Sequence, residues 1–224
     1  MRETGMKQST PAAEDYLKTI YGHTEWQPEP ITPSVLAARL GIAPSSVTEM
    51  VKKLAAAGLL RHVPYGPLTL TPAGLLAATA VVRRHRVIES WLVRDMGYHW
   101  DEVHEEAEIL EHSISDRLLN AMDARLGHPA HDPHGDPIPG ADGSVVREPA
   151  ILLTAAAVGH STRVLRISDR DSAILRDLAA DSIRPGSALT VVKSAAAELH
   201  CVQLPDGQIR QLSTEAAGLI WVSA

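Results

Sequence analysis

The fold of the first part of the chain is decided by residues 32–58, which read TPSVLAARLGIAPSSVTEMVKKLAAAG. Thr32 is a good N-cap and Pro33 suits the first helical position, so a short helix begins here and ends before Gly41. Pro44 begins a second helix. Its apolar residues recur at helical spacing: Val47, Met50, Val51 and Leu54. Two short helices joined by a tight turn predict a helix-turn-helix unit.

A two-stranded ribbon is predicted after the second helix. Strand candidates at 59–64 and 68–70 flank the turn signal Tyr65-Gly66-Pro67. This order is that of a winged helix-turn-helix, whose second helix enters the DNA major groove by its N-terminal end. The alternative is a helical hairpin that only packs. The candidate DNA-binding residues are Pro44, Ser45, Ser46, Thr48, Glu49, Lys52, Lys53 and Arg61. Because Ser and Thr discriminate bases weakly, these residues do not predict an operator sequence.

The surrounding sequence up to residue 126 is also helical. Cap signals at Thr10-Pro11 and Thr71-Pro72 begin two further helices, and Asp101 begins another. A helical period then continues to about Leu126. Residues 127–147 hold four Pro and four Gly without any period, so we expect a linker there.

The sequence beyond the linker is β-rich. Short strand candidates lie at 164–167, 188–192, 199–204 and 209–212. The predicted fold is therefore mainly α with a β-rich C-terminal domain. We expect three domains: a winged helix-turn-helix over 1–73, a helical domain over 74–147 and a small SH3-like β-barrel over 148–224.

Composition and charge limit the function classes. The chain has 224 residues, a formal net charge of −6 and one cysteine, Cys201, which excludes a disulfide framework and any all-cysteine metal site. Residues 1–90 carry +3, residues 91–147 carry −8 and the remainder carries −1. No apolar run reaches the ~18–20 residues of a membrane span, so we expect a soluble, cytoplasmic protein without a membrane partner.

The acidic segment contains the strongest chemical signal. Glu108, Glu111 and His112 stand at i, i+3 and i+4, on one face of the predicted helix. His85 and Glu89 form a matching i, i+4 pair on the preceding helix. Carboxylates with imidazoles, and no sulfur, suit Mn²⁺ or Fe²⁺. The alternative is a solvated acidic helix with incidental histidines.

At this point the sequence resembles the diphtheria toxin repressor family of metal-dependent transcription regulators, and within it the manganese transport regulator branch. The resemblance rests on the first helix, the start of the recognition helix, the long helix after the wing, the ligand helix and the Pro/Gly-rich stretch. The matching segments are EDYLKTIY at 14–21, APSSVT at 43–48, RHR at 84–86 with Glu89, VHEEAE at 103–108 with Glu111-His112, and PHGDPIPG at 133–140.

The resemblance implies two metal sites per subunit. One takes Asp15, Glu108, Glu111 and His112. The other takes His85, Glu89 and His104 together with a C-terminal carboxylate, for which Asp171 is the ungapped match and Asp169 the alternative. Short manganese regulators have Glu where Lys18 stands; because a charged lysine cannot help to hold a close two-ion cluster, we expect separate sites.

The resemblance also implies a metal and a function. Iron-sensing members have Met where Asp15 stands and Cys where Glu108 stands, so the oxygen ligands here favour Mn²⁺, with Fe²⁺ or another divalent transition metal as the alternative. We expect a non-enzymatic, manganese-responsive repressor of metal homeostasis genes. It would bind a double-stranded operator, an inverted repeat, as a homodimer formed through its helical domain. The alternatives are an iron-responsive regulator and a helical di-metal enzyme.

Overall fold

The computed structural model describes residues 10–27, 29–63, 66–193 and 199–224. These divide into two compact units. One contains the described residues up to Arg84 together with Pro139–Ser144, and the other contains His85–Ile138 and Val145–Ala224. Most of the predicted helical domain and the whole of the predicted β-rich domain therefore belong to one unit, while residues 74–84 and 139–144 belong to the other. No helix among the described residues is both long and apolar enough to cross a bilayer.

The first unit is a winged helix-turn-helix, as predicted. Its elements are α1 (Pro11–Trp26), α2 (Pro33–Leu40), α3 (Pro44–Ala56), β1 (Leu60–His62), β2 (Leu68–Leu70) and the first half of α4 (Pro72–Met96). The hydroxyl groups of Thr10 and Thr32 cap α1 and α2 by accepting from backbone amides. Gly41 adopts a φ of 65° between α2 and α3, a left-handed conformation that glycine reaches without strain.

The core of the first unit lies between these helices and the ribbon. Its fully buried side chains include Leu17, Ile20, Leu36, Val47 and Leu68. The strands β1 and β2 are antiparallel, with Leu60 opposite Leu70 and His62 opposite Leu68. Of the turn predicted between them, Pro64 and Tyr65 lie outside the described residues.

The second unit begins with a helical layer. It contains the second half of α4, α5 (Val103–Leu110) and α6 (Asp116–Leu126). Ser115 caps α6 by accepting from the amide of Leu118, and Gly127 ends it with a φ of 75°. The apolar faces of the three helices meet at Val87, Ile88, Leu92, Val103, Ala107 and Leu119.

The β-rich part of the second unit is a six-stranded antiparallel sheet in the order β3-β8-β4-β5-β6-β7. The strands β3 and β8 were not predicted from the sequence, because their pairing with strands distant along the chain defines them. The core between the sheet and its helices includes Val164, Ile167, Leu175, Ile183 and Ile220. The elements are β3 (Ala150–Leu152), β4 (Ser161–Ile167), α7 (Ser172–Ala180), β5 (Ala188–Lys193), β6 (Leu199–Gln203), β7 (Ile209–Ser213), α8 (Thr214–Ala217) and β8 (Ile220–Ser223).

The predicted linker is irregular but organised by hydrogen bonds. Oδ1 of Asp132 accepts from the amides of His134 and Asp136, at 2.8 and 3.0 Å, which makes a tight turn. His131 and Pro137 form an isolated β-bridge across this turn. We call residues 131–137 the Asp132 loop.

Candidate metal centre and DNA-binding surface

The predicted DNA-binding residues of α3 lie on its exposed side. The helix buries Val47, Val51 and Leu54, and its other face is open. Among the described residues no side chain caps the start of α3, in contrast to α1 and α2. Pro44 has no amide hydrogen, and the amides of Ser46 and Val47 donate to the carbonyl of Ala43, so the amide of Ser45 is the one that this helix start offers to a phosphate. The exposed residues are Pro44, Ser45, Ser46, Thr48, Glu49, Lys52 and Lys53, with Arg61 exposed on β1.

Two contacts shape this exposed face. The hydroxyl of Thr48 donates to the carbonyl of Pro44 at 3.0 Å, one turn earlier in α3. Nζ of Lys53 lies 2.8 Å from Oε1 of Glu49. The lysine holds the pKa of Glu49 below its ordinary value, so this carboxylate is ionised on the exposed face. Lys52 and Lys53 then stand one turn beyond the serines, where they can contact the DNA backbone.

Three of the four residues predicted for the first metal site lie in the second unit. Glu111 follows the last residue of α5 and keeps helical angles, so the i, i+3, i+4 relation with Glu108 and His112 is maintained. Glu111 is 1% exposed. Its Oε1 lies 3.4 Å from Nε2 of His112, and its Oε2 lies 2.6 Å from Nδ1 of His85. Glu108 offers an oxygen within 4.8 Å of the ligand atoms of His85 and Glu111.

Asp15, the fourth residue predicted for that site, belongs to the first unit. It lies half-buried on α1. There it lines a cavity of about 390 Å³ together with Ser46, Glu49 and Lys53 of α3. Asp15 is therefore positioned by the helices that carry the DNA-binding surface.

The second predicted site brings together His85, Glu89 and His104. Oε1 of Glu89 lies 3.0 Å from Nε2 of His85 and 3.6 Å from Nδ1 of His104. The same Nδ1 lies 2.9 Å from Oδ2 of Asp169. The four residues each offer one ligand atom within 4.8 Å of the others.

The carboxylate that lies in this group is that of Asp169, the alternative from the sequence, and not that of Asp171. Asp171 is the N-cap of α7, and its Oδ1 accepts from the amides of Ala173 and Ile174 at 2.9 and 3.1 Å. Because the cap directs its side chain to the helix start, Asp171 is absent from the group. Asp169 lies two residues earlier and faces His104.

Two further residues lie beside Glu89 that were not predicted from the sequence. Asp132 and His134 form a third potential ligand group with Glu89, and all three are buried. Nε2 of His134 lies 2.7 Å from the carbonyl oxygen of Trp100. A carbonyl only accepts, so Nε2 carries the hydrogen and Nδ1 faces Oε2 of Glu89, 3.8 Å away. The sequence signal that could have identified them is the Asp-x-His spacing of Asp132 and His134 within the predicted linker.

Burial and neighbouring charges strongly shift the pKa values of the residues around Glu89. Burial would raise the pKa of Glu89, but His85, with His104 and His134, holds that pKa well below its ordinary value. Burial would lower the pKa of His104, but Asp169 and Glu89 raise it to about 11. The pKa of Asp169 is lowered in return, because the interactions with His104 outweigh the opposing effect of burial.

Burial and neighbouring charges also shift the pKa values of His134 and Asp132 in the Asp132 loop. Burial would lower the pKa of His134, but Glu89 and then Asp132 raise it to about 10. Burial, with the neighbouring Asp136 and Glu89, raises the pKa of Asp132 to about 8. A cluster whose groups perturb one another in this way needs positive charge at its centre, either as protons or as a cation.

A divalent cation fits the residues around Glu89. Both carboxylate oxygens of Glu89 and the Nδ1 atoms of His104 and His134 are buried and make no well-aligned hydrogen bond among the described residues, although Oε1 of Glu89 lies 3.0 Å from His85 and Nδ1 of His104 lies 2.9 Å from Asp169. Buried polar atoms in proteins seldom lack a hydrogen bond. These atoms converge, and carboxylate oxygen with imidazole nitrogen is the donor set of Mn²⁺ and Fe²⁺ sites. Among the described residues, none of the potential ligand groups contains a sulfur atom.

Comparison with known proteins assigns the chain region by region. Residues 8–68 match "Iron dependent repressor, N-terminal DNA binding domain". Residues 71–140 match "Iron dependent repressor, metal binding and dimerisation domain". Residues 151–224 match the FeoA domain. The matched domains are those of repressors, which removes the helical di-metal enzyme from consideration.

Two curated relatives and one solved structure make the relationship specific. The iron-dependent repressor IdeR of Mycobacterium tuberculosis is 37% identical over 137 residues, which are 60% of this chain and 58% of IdeR. The chain thus matches less than two thirds of that relative. The diphtheria toxin repressor of Corynebacterium diphtheriae is 31% identical over 173 residues, which cover 73% of this chain and 75% of that protein.

The solved structure is a manganese-dependent transcriptional repressor in complex with manganese. It is 46% identical, with a TM-score of 0.91, and the match covers 95% of this chain and 99% of that one. A relative above 30% identity that is matched over most of its length establishes common descent at the level of the family. The chain belongs to the diphtheria toxin repressor family of metal-dependent transcriptional repressors.

Proposed function

We propose that this protein is a manganese-responsive transcriptional repressor of metal homeostasis genes. It acts in the cytoplasm as a homodimer formed through the helical domain, and its operator is an inverted repeat. The DNA-binding assignment rests on the exposed, uncapped start of α3 with its two lysines. A two-fold dimer presents its recognition helices about one DNA turn apart, ~34 Å, which is the geometric reason for a repeated half-site.

The observation that carries the choice of metal is the absence of sulfur from the ligand set. The first proposed site takes Asp15, Glu108, Glu111 and His112. The second takes His85, Glu89, His104 and Asp169, extended by His134 and Asp132. Hard oxygen donors with a minority of imidazoles favour Mn²⁺ over softer ions. A bound divalent cation supplies the positive charge that the buried carboxylates lack.

The residues of the first site connect metal binding to DNA binding. Asp15 stands on α1, beside the recognition helix α3. Glu108, Glu111 and His112 stand on and just after α5, in the helical domain. By ligating one ion together, these side chains would hold the DNA-binding domains of a dimer in one arrangement. Without the ion, like charges would repel and operator affinity would fall. Because the coupling is reciprocal, DNA must also tighten metal binding.

Iron is the second candidate metal. The relative IdeR and the family models matched at residues 8–68 and 71–140 are named iron-dependent, whereas the solved structure with the 0.91 TM-score is named manganese-dependent. The ligand types separate these two readings chemically, because both metals bind carboxylates and imidazoles but softer ligands favour iron over manganese.

A binding titration tests the proposed function. Operator DNA is first obtained by in vitro selection with protein saturated in Mn²⁺. Its affinity is then measured by fluorescence anisotropy in Mn²⁺, anaerobic Fe²⁺, Zn²⁺ and excess chelator. We expect Mn²⁺ to tighten binding by at least about tenfold, and Glu108→Ala to lose this response while keeping the circular dichroism of the wild type. Equally tight binding in excess chelator would refute the proposal.

A further inference from the structure

We propose that Arg166 of the C-terminal domain is a positioning residue for the second metal site, acting through Asp136 to hold the His134 imidazole against Glu89. The inference rests on the proposed role of His134 as a ligand. It assigns the FeoA-type domain a second contribution to the site, separate from the carboxylate of Asp169.

The contact between Arg166 and Asp136 is short, buried and charged. Nε of Arg166 lies 2.7 Å from each carboxylate oxygen of Asp136. Both side chains are about one-tenth exposed or less. The guanidinium also stacks on Trp221, with its carbon 4.5 Å from the ring centroid. Arg166 is therefore held in place by its own domain, and a charge-assisted hydrogen bond from such a residue orients its partner strongly.

A β-bulge aims Arg166 away from the sheet core. The pairing of β4 with β8 shifts register between Val164 and Arg166. Because of this extra residue, Val164 and Ile167 both lie in the core although they stand an odd number of positions apart. Arg166 therefore points out of the core and reaches Asp136. A β-bulge can re-aim a side chain in this way.

The Asp132 loop is fixed to β4 by its backbone as well. The amide of Ile167 donates to the carbonyl of His134 at 2.9 Å. Gly135 has a φ of 89°, and a Cβ at this position would clash with the carbonyl oxygen of Leu165. Only glycine permits so close an approach of two backbones. The strand that carries Arg166 thus also contacts the backbone of His134 itself.

Arg86 completes the network from the helical side. Its Nη2 lies 3.1 Å from Oδ1 of Asp136, and its Nη1 donates to the carbonyl of Pro137 at 2.7 Å. Its Nε lies 3.6 Å from Oδ2 of Asp132. Asp136 is thus held between an arginine of α4 and an arginine of β4. Loss of Arg166 would remove the side-chain connection from the C-terminal domain and leave the loop less well ordered.

Manganese binding to the full-length protein tests this role. Isothermal titration would resolve two classes of Mn²⁺ site per subunit, and Mn²⁺ electron paramagnetic resonance would count the bound ions. Partners that orient metal ligands typically contribute about 10–100-fold to affinity. We expect Arg166→Met and Asp136→Asn each to weaken one class by about this factor and to leave the other unchanged, with the double variant no weaker than the weaker single variant.

The chain offers a matched control in Arg163. It lies on the same strand, and its Nη2 is 2.8 Å from Oε2 of Glu148, but both side chains are half-exposed. Arg163→Met should leave both classes unchanged. Arg166→Lys keeps the charge with a different donor geometry, so it should restore part of the lost affinity.

Three results would overturn the inference, and they differ in what else they refute. If Arg166→Met lowers the melting temperature without changing either class, Arg166 is only structural. If it weakens both classes equally, the effect is not on the second site. If His134→Ala leaves both classes intact, the ligand assignment of His134 fails, and the inference fails with it. The metal-dependent operator binding of the wild type, measured in parallel, would still stand in all three cases.

Discussion

The imidazole of His85 contacts the carboxylate of Glu111 through Nδ1, at 2.6 Å, although the two residues stand 26 positions apart. Its Nε2 lies 3.0 Å from Glu89. One histidine therefore faces a carboxylate from each of the two proposed metal sites. A sequence-based assignment of His85 to the second site alone does not describe this arrangement, which instead provides a physical connection between the sites.

The first prediction concerns this shared histidine. His85→Ala should weaken both classes of Mn²⁺ binding, because the variant removes a ligand from one site and leaves the buried Glu111 of the other without its imidazole neighbour. We expect at least about a tenfold loss in each class by isothermal titration. His128→Ala is the control, since His128 also contacts a carboxylate, that of Asp123 at 2.7 Å, but is exposed outside both sites. A loss confined to one class would show that the sites do not share His85.

The second prediction separates two neighbouring aspartates. Asp169→Asn should weaken the second class of Mn²⁺ site, because it removes the charge that faces His104 at 2.9 Å. Asp171→Ala should leave metal binding unchanged and lower the free energy of unfolding by about 1 kcal/mol, the usual effect of removing an N-cap. Titration calorimetry and urea unfolding measure the two effects. The opposite pattern would return the ligand role to Asp171.

How far the sequence predicts the site depends on how local each signal is. Glu108, Glu111 and His112 were identified from spacing because one helix face brings them together, and the structure keeps that relation. The choice between Asp169 and Asp171 was not local. It depends on which aspartate caps α7. The preference of aspartate for N-cap positions did not outweigh the ungapped match to the family, which favoured Asp171.

Asp132 and His134 were missed for a different reason. Their loop has no helical or strand period, so a Pro/Gly-rich composition indicated only a linker. What places His134 beside Glu89 is a set of long-range contacts: His134 with the carbonyl of Trp100 and the amide of Ile167, and the neighbouring Asp136 with Arg166. None of these has a signature in a single sequence. The same limit applies to β3 and β8, whose pairing with distant strands defines them.

The third prediction is a release of protons on metal binding. The pKa values of His104 and His134, at about 11 and about 10, lie above the ordinary 6.5. Both imidazoles of the metal-free protein therefore carry an extra proton from pH 6 to 9, and ligation must displace it. Second-site affinity should rise with pH by about tenfold per unit for each displaced proton. Titrations in buffers of different ionisation enthalpy count the protons, and a pH-independent affinity would contradict the prediction.

The fourth prediction concerns the DNA-binding surface. Lys52 is exposed on α3, one turn beyond the serines at its start. If Lys52 neutralises one phosphate, Lys52→Ala should reduce the slope of log K against log salt by about 0.9 per subunit. The loss should be similar for operator and random DNA, because phosphate contacts carry no sequence information. Arg117→Ala, an exposed cation on α6, is the control. An unchanged slope would remove Lys52 from the interface.

The fifth prediction tests the metal preference through ligand softness. Asp15→Met combined with Glu108→Cys replaces two hard oxygen ligands of the first site by sulfur. Sulfur ligands favour Fe²⁺, Co²⁺ and Ni²⁺ over Mn²⁺, so the Mn²⁺ concentration needed for half-maximal operator binding should rise while that for the softer ions falls. Anisotropy titrations with each metal, under anaerobic conditions, measure the order. If the double variant keeps the metal order of the wild type, Asp15 and Glu108 are not the ligands that set the preference.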